Sequence, residues 1–145
     1  MKVYKTIYRP ILTHGCESWV LTEQEKSKIR ATETKYLRRV KGITRREKIR
    51  NVVIREELEI ESIEEYIEKK QLAWWGHLQR MKNGTQVKRI WESKAQGKRK
   101  VGRPIQTWDN VVGNILKKRR KTWPEAKDLA QERKEWKKFI NNNYY

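Results

Sequence analysis

The chain has 145 residues, with 36 Lys and Arg against 18 Asp and Glu, a formal net charge of +18 at pH 7 and a pI near 10.2. Its 36% hydrophobic and 37% charged residues can build thin cores but not the thick core of a large α/β enzyme, and seven Trp with six Tyr set it apart from chains that stay disordered. The apolar runs are too short for a membrane helix or a secretory leader, and the single Cys16 excludes an intrachain disulfide; the expectation is an intracellular protein.

Helix starts are marked by the capping box, Ser or Thr followed three residues later by Glu. Its hydroxyl accepts from a helical N–H while the carboxylate reaches back to the cap. The pattern occurs at Thr22 with Glu25, Thr44 with Glu47, Ser62 with Glu65 and Thr122 with Glu125. Ahead of the first box, Val3 to Tyr8 reads as a helix, Pro10 as a break, and Pro10 to Trp19 as a second helical segment. The Thr22 box opens a helix from Glu23 to about Lys41, with Ile29, Tyr36, Leu37 and Val40 on its apolar stripe and Gly42 ending it in the left-handed conformation. Short helical pieces follow around Arg45 to Arg50 and Val52 to Leu58, the second capped by Asn51.

From Ser62 a longer helix runs to about Met81, with Ile63, Tyr66, Ile67, Trp74, Leu78 and Met81 at helical spacing, and Asn83-Gly84 makes a turn. Val87, Ile90 and Trp91 indicate another short helix. Thr107 caps a helix from Trp108 to about Arg120 that buries Trp108, Val111, Val112, Ile115 and Leu116. The Thr122 box opens a last helix with Ala126, Leu129, Ala130, Arg133, Trp136 and Ile140 along one face. Alternating strand patterns are almost absent. The expected fold is all-α, an irregular multi-helix bundle over 1–93, a basic linker over 94–105 and a smaller C-terminal helical hairpin over 106–145.

Charge is laid out in blocks. Residues 1–55 carry 15 basic and 5 acidic groups, 56–68 carry seven Glu and no base, and 69–145 carry 21 basic and 6 acidic groups. Such an excess favours a polyanion, because cations that neutralise phosphates release condensed counterions. Three clusters supply it. Arg38, Arg39, Arg45 and Arg46 flank the Gly42 bend; Lys98, Arg99, Lys100 and Arg103 fill the linker; Lys117, Lys118, Arg119, Arg120 and Lys121 close one helix and precede the next. The Gly102-Arg103-Pro104 core resembles the AT-hook of minor-groove binders, although Val101 stands where the hook has Arg, and a linker resting on phosphates accounts for it more simply. Trp74, Trp108 and Trp136 fall on apolar stripes, whereas Trp75, one position off, is the tryptophan expected to be exposed for base stacking.

Catalysis is poorly supplied. Asp109 and Asp128 are the only aspartates, and the Glu56 to Glu68 run reads as a solvated face or a patch against the protein's own bases. His14, Cys16 and His77 lack metal-site spacing, and no phosphate cradle of the Walker type occurs. No enzyme, metal or cofactor is expected.

Several runs taken together resemble one family, the C-terminal region of reverse transcriptases from non-LTR (LINE-like) retrotransposons. They are the stretch from Tyr8-Arg9-Pro10-Ile11-Leu12 to Trp19, Trp74-Trp75-Gly76-His77-Leu78-Gln79-Arg80-Met81, Gly102-Arg103-Pro104 with Thr107-Trp108, and Ala130-Gln131-Glu132-Arg133 with Trp136. Two positions depart from it: the family usually has Tyr where His14 stands and often a basic residue at Ile105, and no zinc knuckle occurs. The resemblance implies that Pro10-Ile11-Leu12 opens the thumb, the helical part that grips the template-primer duplex, and that the later motifs form the tail beyond it. The palm aspartates and the endonuclease would lie before Met1. The expectation is therefore a non-catalytic part that binds RNA or DNA and docks on the palm and fingers of a parent polymerase, in the nucleus or a ribonucleoprotein particle, with no membrane or small-molecule partner. The alternatives are a free-standing AT-hook-like chromatin protein and a helical adaptor that binds a basic protein through Glu56 to Glu68.

Overall fold

The computed structural model describes residues 1–93, 102 and 105–142. Among them the structure is all-α, with eight α-helices and no strand: α1 (Arg9–Leu12), α2 (Glu23–Lys41), α3 (Asn51–Glu57), α4 (Ile63–Arg80), α5 (Gln86–Glu92), α6 (Trp108–Lys118), α7 (Trp123–Gln131) and α8 (Arg133–Asn141). Tyr4–Tyr8 forms a π-helical turn and Arg45–Glu47 a 3₁₀ turn. Most of the expected linker lies outside the described residues, and with it Lys98, Arg99, Lys100 and Arg103. The chain forms two compact units, Met1–Lys70 and Gln71–Tyr145, whose boundary falls inside α4.

The capping boxes at Thr22, Thr44 and Thr122 form, and at Ser62 the hydroxyl half is in place. Thr22 Oγ1 accepts from Glu25 N (3.3 Å) while Thr22 N donates to Glu25 Oε2 (2.7 Å). Thr44 N donates to Glu47 Oε1 (2.8 Å) and Thr122 N to Glu125 Oε2 (3.2 Å), and Ser62 Oγ accepts from Glu65 N (3.2 Å). At the far end of α2, Gly42 sits at φ 69°, with Ile43 N donating to Arg38 O and Gly42 N to Arg39 O, the paired bonds of a Schellman motif. The same paired bonds close α3 and α6 around Glu59 (φ 52°) and Arg120 (φ 55°), where the left-handed residue carries a side chain.

The first unit departs from expectation in five places. Pro10 makes no break: Arg9 N bonds to Tyr4 O, and the resulting wider turn accommodates a ring that in an α-helix would clash with the carbonyl four residues back. Beyond Leu12 the chain makes turns, not a helix to Trp19. The Thr44 box opens a 3₁₀ turn that ends at left-handed Lys48, and Asn51 is the first residue of α3, not its cap; its Oδ1 accepts from Arg38. Val40 is exposed, and the inward stripe of α2 runs through Ile29, Glu33 and Leu37. Two apolar clusters result, Tyr4, Leu37, Ile54 and Ile60 in one and Cys16, Leu21, Ile63 and Ile67 in the other. Glu33, fully buried, accepts the Tyr4 hydroxyl proton on Oε1, and Arg55 lies 3.7 Å from its Oε2.

The second unit closes around tryptophans. Leu72, Trp75, Val112, Ile115, Leu116, Ala126, Ala130, Trp136, Phe139 and Ile140 form its core, with Trp108 and Val111 partly buried against it. Trp75 is 0% exposed and packs edge-on against Trp123 at 5.5 Å and tilted against Trp136 at 5.3 Å, so its expected role as an exposed base-stacking platform is corrected. Burying an aromatic of roughly 200 Å² at about 25 cal/mol per Å² is worth about 5 kcal/mol, against about 1–3 kcal/mol for stacking one base, and the core wins. The phase of the stripe differs because the C-terminal half of α4 buries Leu72, Trp75 and Leu78, while Trp74 is half-buried beside the ring of His77 at 5.4 Å.

Gly76 has a specific reason to be glycine. The indole of Trp136 lies over it and donates through Nε1 to Leu72 O (3.1 Å); a Cβ on Gly76 would collide with that indole nitrogen and stand 2.8 Å from its Cε2. The expected single helix from Trp123 to Ile140 breaks at Glu132, so three helices, not a hairpin, follow residue 106. At the break, Arg80 Nη1 donates to Ala130 O (2.6 Å) and so satisfies a carbonyl that a continuous helix would pair with the N–H of Lys134.

Candidate nucleic-acid interface

The box at Thr22 starts α2, and with Ile29, Glu33 and Leu37 turned inward the helix leaves a flanking stripe toward solvent. That stripe, Ser27, Arg30, Ala31, Thr34, Lys35 and Arg38, recurs at three- and four-residue spacing and is joined by Arg45 and Asn51. Together they line a groove of about 440 Å³ that contains four cations and no carboxylate. Arg38 is anchored by neutral acceptors, donating to Thr44 O (3.1 Å), Ile49 O and Asn51 Oδ1 (2.9 Å), so it is held rigid without losing its charge. Arg30 pairs with Glu64 at 2.9 Å. Glu47, the nearest acid in sequence to Arg45 and Arg46, is occupied by its cap: the Thr44 N–H and hydroxyl hold its carboxyl below the usual range.

Of the first expected cluster, Arg38 and Arg45 meet in this groove, while Arg39 and Arg46 are exposed but do not line it. Arg30 and Lys35 line it and were not singled out by the sequence reading. Their signal was legible, because both lie on the polar stripe of α2 that also carries Arg38.

The third cluster divides. Lys117, Lys118 and Arg120 are exposed, and Lys121 is half-buried with Glu125 at 3.9 Å. Arg119 is corrected: it is 6% exposed, and its Nη1 donates to Phe139 O (3.2 Å) and Ile140 O (2.9 Å) at the end of α8. A guanidinium in the last turn satisfies carbonyls that have no helical partner, which makes Arg119 a structural cap and withdraws it from any phosphate.

Several glutamates of the acidic run pair with the protein's own cations. Glu57 pairs with Lys41 at 2.7 Å, Glu61 with Arg9 at 2.9 Å and Lys69 at 2.6 Å, Glu64 with Arg30, and Glu65 with Lys69 at 3.1 Å. Arg9 also lies 3.8 Å above the Tyr66 ring. Asp109 Oδ1 accepts from Trp91 Nε1 (3.1 Å). Cys16 is buried, which pushes its thiol pKa up, and His14 is exposed, so the position where the resembled family has Tyr makes no buried hydrogen bond. Among the described residues no three His, Cys, Asp or Glu side chains stand close enough to hold a metal ion, and no helix is long and apolar enough to cross a membrane.

No family model and no solved structure matches the chain. It is similar to an uncharacterised transposon-derived protein of Caenorhabditis elegans, at 26% identity over 151 residues, covering 99% of this chain and 54% of the relative. The chain thus spans about half the length of the curated relative it matches, and the likeness supports a transposon-related origin.

Proposed function

We propose that the chain is the C-terminal, nucleic-acid-gripping part of a non-LTR retrotransposon reverse transcriptase, without catalytic residues of its own. It holds template RNA or target DNA by the phosphate backbone while chemistry proceeds elsewhere in the parent protein, inside the nucleus or a ribonucleoprotein particle. The observation that carries this reading is the α2 groove, where Arg30, Lys35, Arg38 and Arg45 converge with no carboxylate among the lining residues. Three further observations support it. The net charge is +18, the motifs around Trp74 to Met81 and Trp136 resemble that family's tail, and the similar protein is transposon-derived.

Phosphate contacts dominate such binding, so affinity follows salt. Between about 50 and 200 mM salt the affinity for an RNA–DNA hybrid falls by about 10³–10⁵ if roughly 6–10 phosphates are engaged. A fluorescence anisotropy titration over that range checks it, and binding that ignores salt, or fails at low salt, contradicts it.

A further inference from the structure

The second unit contains a groove of different chemistry. On α6, Val112, Ile115 and Leu116 face the core, and the opposite side presents Asn110, Asn114 and Lys117 around Gly113. Trp91 of α5 and Trp123 of α7 flank this floor, and Lys127 completes a space of about 700 Å³. The indole of Trp123 lies over Gly113, where a Cβ would meet its Nε1 at 3.4 Å and its Cζ2 at 3.5 Å, ordinary van der Waals contact. Trp91 is fixed from the other side by its hydrogen bond to Asp109 Oδ1.

Each part answers to one part of a nucleotide. Partly buried indoles offer a face on which a base stacks, two exposed asparagine amides each carry a donor and an acceptor for a base edge, and Lys117 and Lys127 are cations for the attached phosphate. The one carboxylate on the rim, Asp109, is engaged by Trp91, so the lysines outnumber it. The volume lies within the range of about 300–1,000 Å³ typical of small-ligand sites, and a base inside a duplex, stacked on both faces, offers nothing for an indole to meet. We infer that this groove takes an unpaired nucleobase of a single strand, with its phosphate on Lys117 and Lys127. The inference rests on the nucleic-acid reading above and adds to it a base-dependent contact that the α2 groove, which has no aromatic side chain, does not supply.

The test uses the full chain and two labelled single strands of roughly twelve nucleotides, one oligouridylate and one of abasic ribose phosphates, compared by anisotropy. The base-bearing strand is expected to bind about tenfold tighter than the abasic one. Trp91→Leu is expected to abolish that preference. Asn110→Ala combined with Asn114→Ala, both at exposed positions, reduces it several-fold, with abasic affinity and helical circular dichroism unchanged. Equal binding of the two strands, or a preference untouched by the asparagine changes, overturns the base site while leaving the phosphate grip standing. Failure of both strands to bind at low salt overturns both.

Discussion

The two units solve the problem of a highly charged sequence in different ways. The first holds 17 basic and 12 acidic residues, enough acid to pair, and it buries a carboxylate, stacks Tyr8 on Tyr36 at 4.0 Å and ties its helices with Arg9–Glu61 and Lys69–Glu61. The second holds 19 basic and 6 acidic residues, too few acids for that device, and six of the seven tryptophans. It closes by apolar area, with Trp75, Trp123 and Trp136 in its core, and among the described residues most of its cations are exposed. Where acid is scarce, aromatic burial replaces ion pairing, which is the better exchange: surface ion pairs return about 0–1 kcal/mol each and a buried large side chain returns more.

Changes that attack one device and spare the other sharpen this contrast. Gly76→Ala drives a methyl into the Trp136 indole and is expected to cost about 3 kcal/mol or more, since neither indole nor helix backbone has room to move. Tryptophan fluorescence reports mainly the second unit, so a urea midpoint lowered in that signal checks it, and an unchanged midpoint contradicts the packing described. In the first unit, burial raises the pKa of Glu33 above the ordinary 4.5, against the lowering effects of the Tyr4 hydroxyl, Arg55 and Arg9. The folded state therefore binds this proton more readily than the unfolded chain. The stability so conferred is complete below about pH 4.5 and is lost as pH rises through the raised value. Glu33→Gln stays neutral, so its stability relative to the native chain should improve as pH rises above about 4.5; a difference that does not vary with pH refutes a raised pKa. Smallest is Glu59→Gly, which relieves the left-handed backbone closing α3 and is expected to raise stability by up to about 1 kcal/mol, read as a small rise in melting temperature.

What the sequence made legible was local. Thr22, Thr44, Ser62, Thr107 and Thr122 mark helix starts, and Gly42 and Gly84 mark turns, because a cap or a positive φ is decided within three or four residues. What stayed illegible was decided by distant partners. Helix α7 ends at Glu132, where Arg80, fifty positions before Ala130, takes the Ala130 carbonyl. Arg119 reads as one of five consecutive cations until the end of α8 is placed against it. Glu33 has no local mark of burial, and its partners Tyr4 and Arg55 come from distant positions. Trp75 and Trp74 differ by one position, and only the approach of Trp136 to Gly76 selects between them. The candidate site divides the same way. Arg38 and Arg45 were visible as a cluster and Lys35 as part of the α2 stripe, whereas the exclusion of Arg46 depends on the 3₁₀ turn at Arg45–Glu47.

The central claim is that the α2 groove engages phosphates, and the slope of log affinity against log salt measures it most directly. In a chain carrying Lys35→Ala and Arg45→Ala, two exposed lining residues, the magnitude of that slope is expected to fall by about 2 relative to the native chain, about one for each lost phosphate contact. A slope identical to that of the native chain would contradict the account.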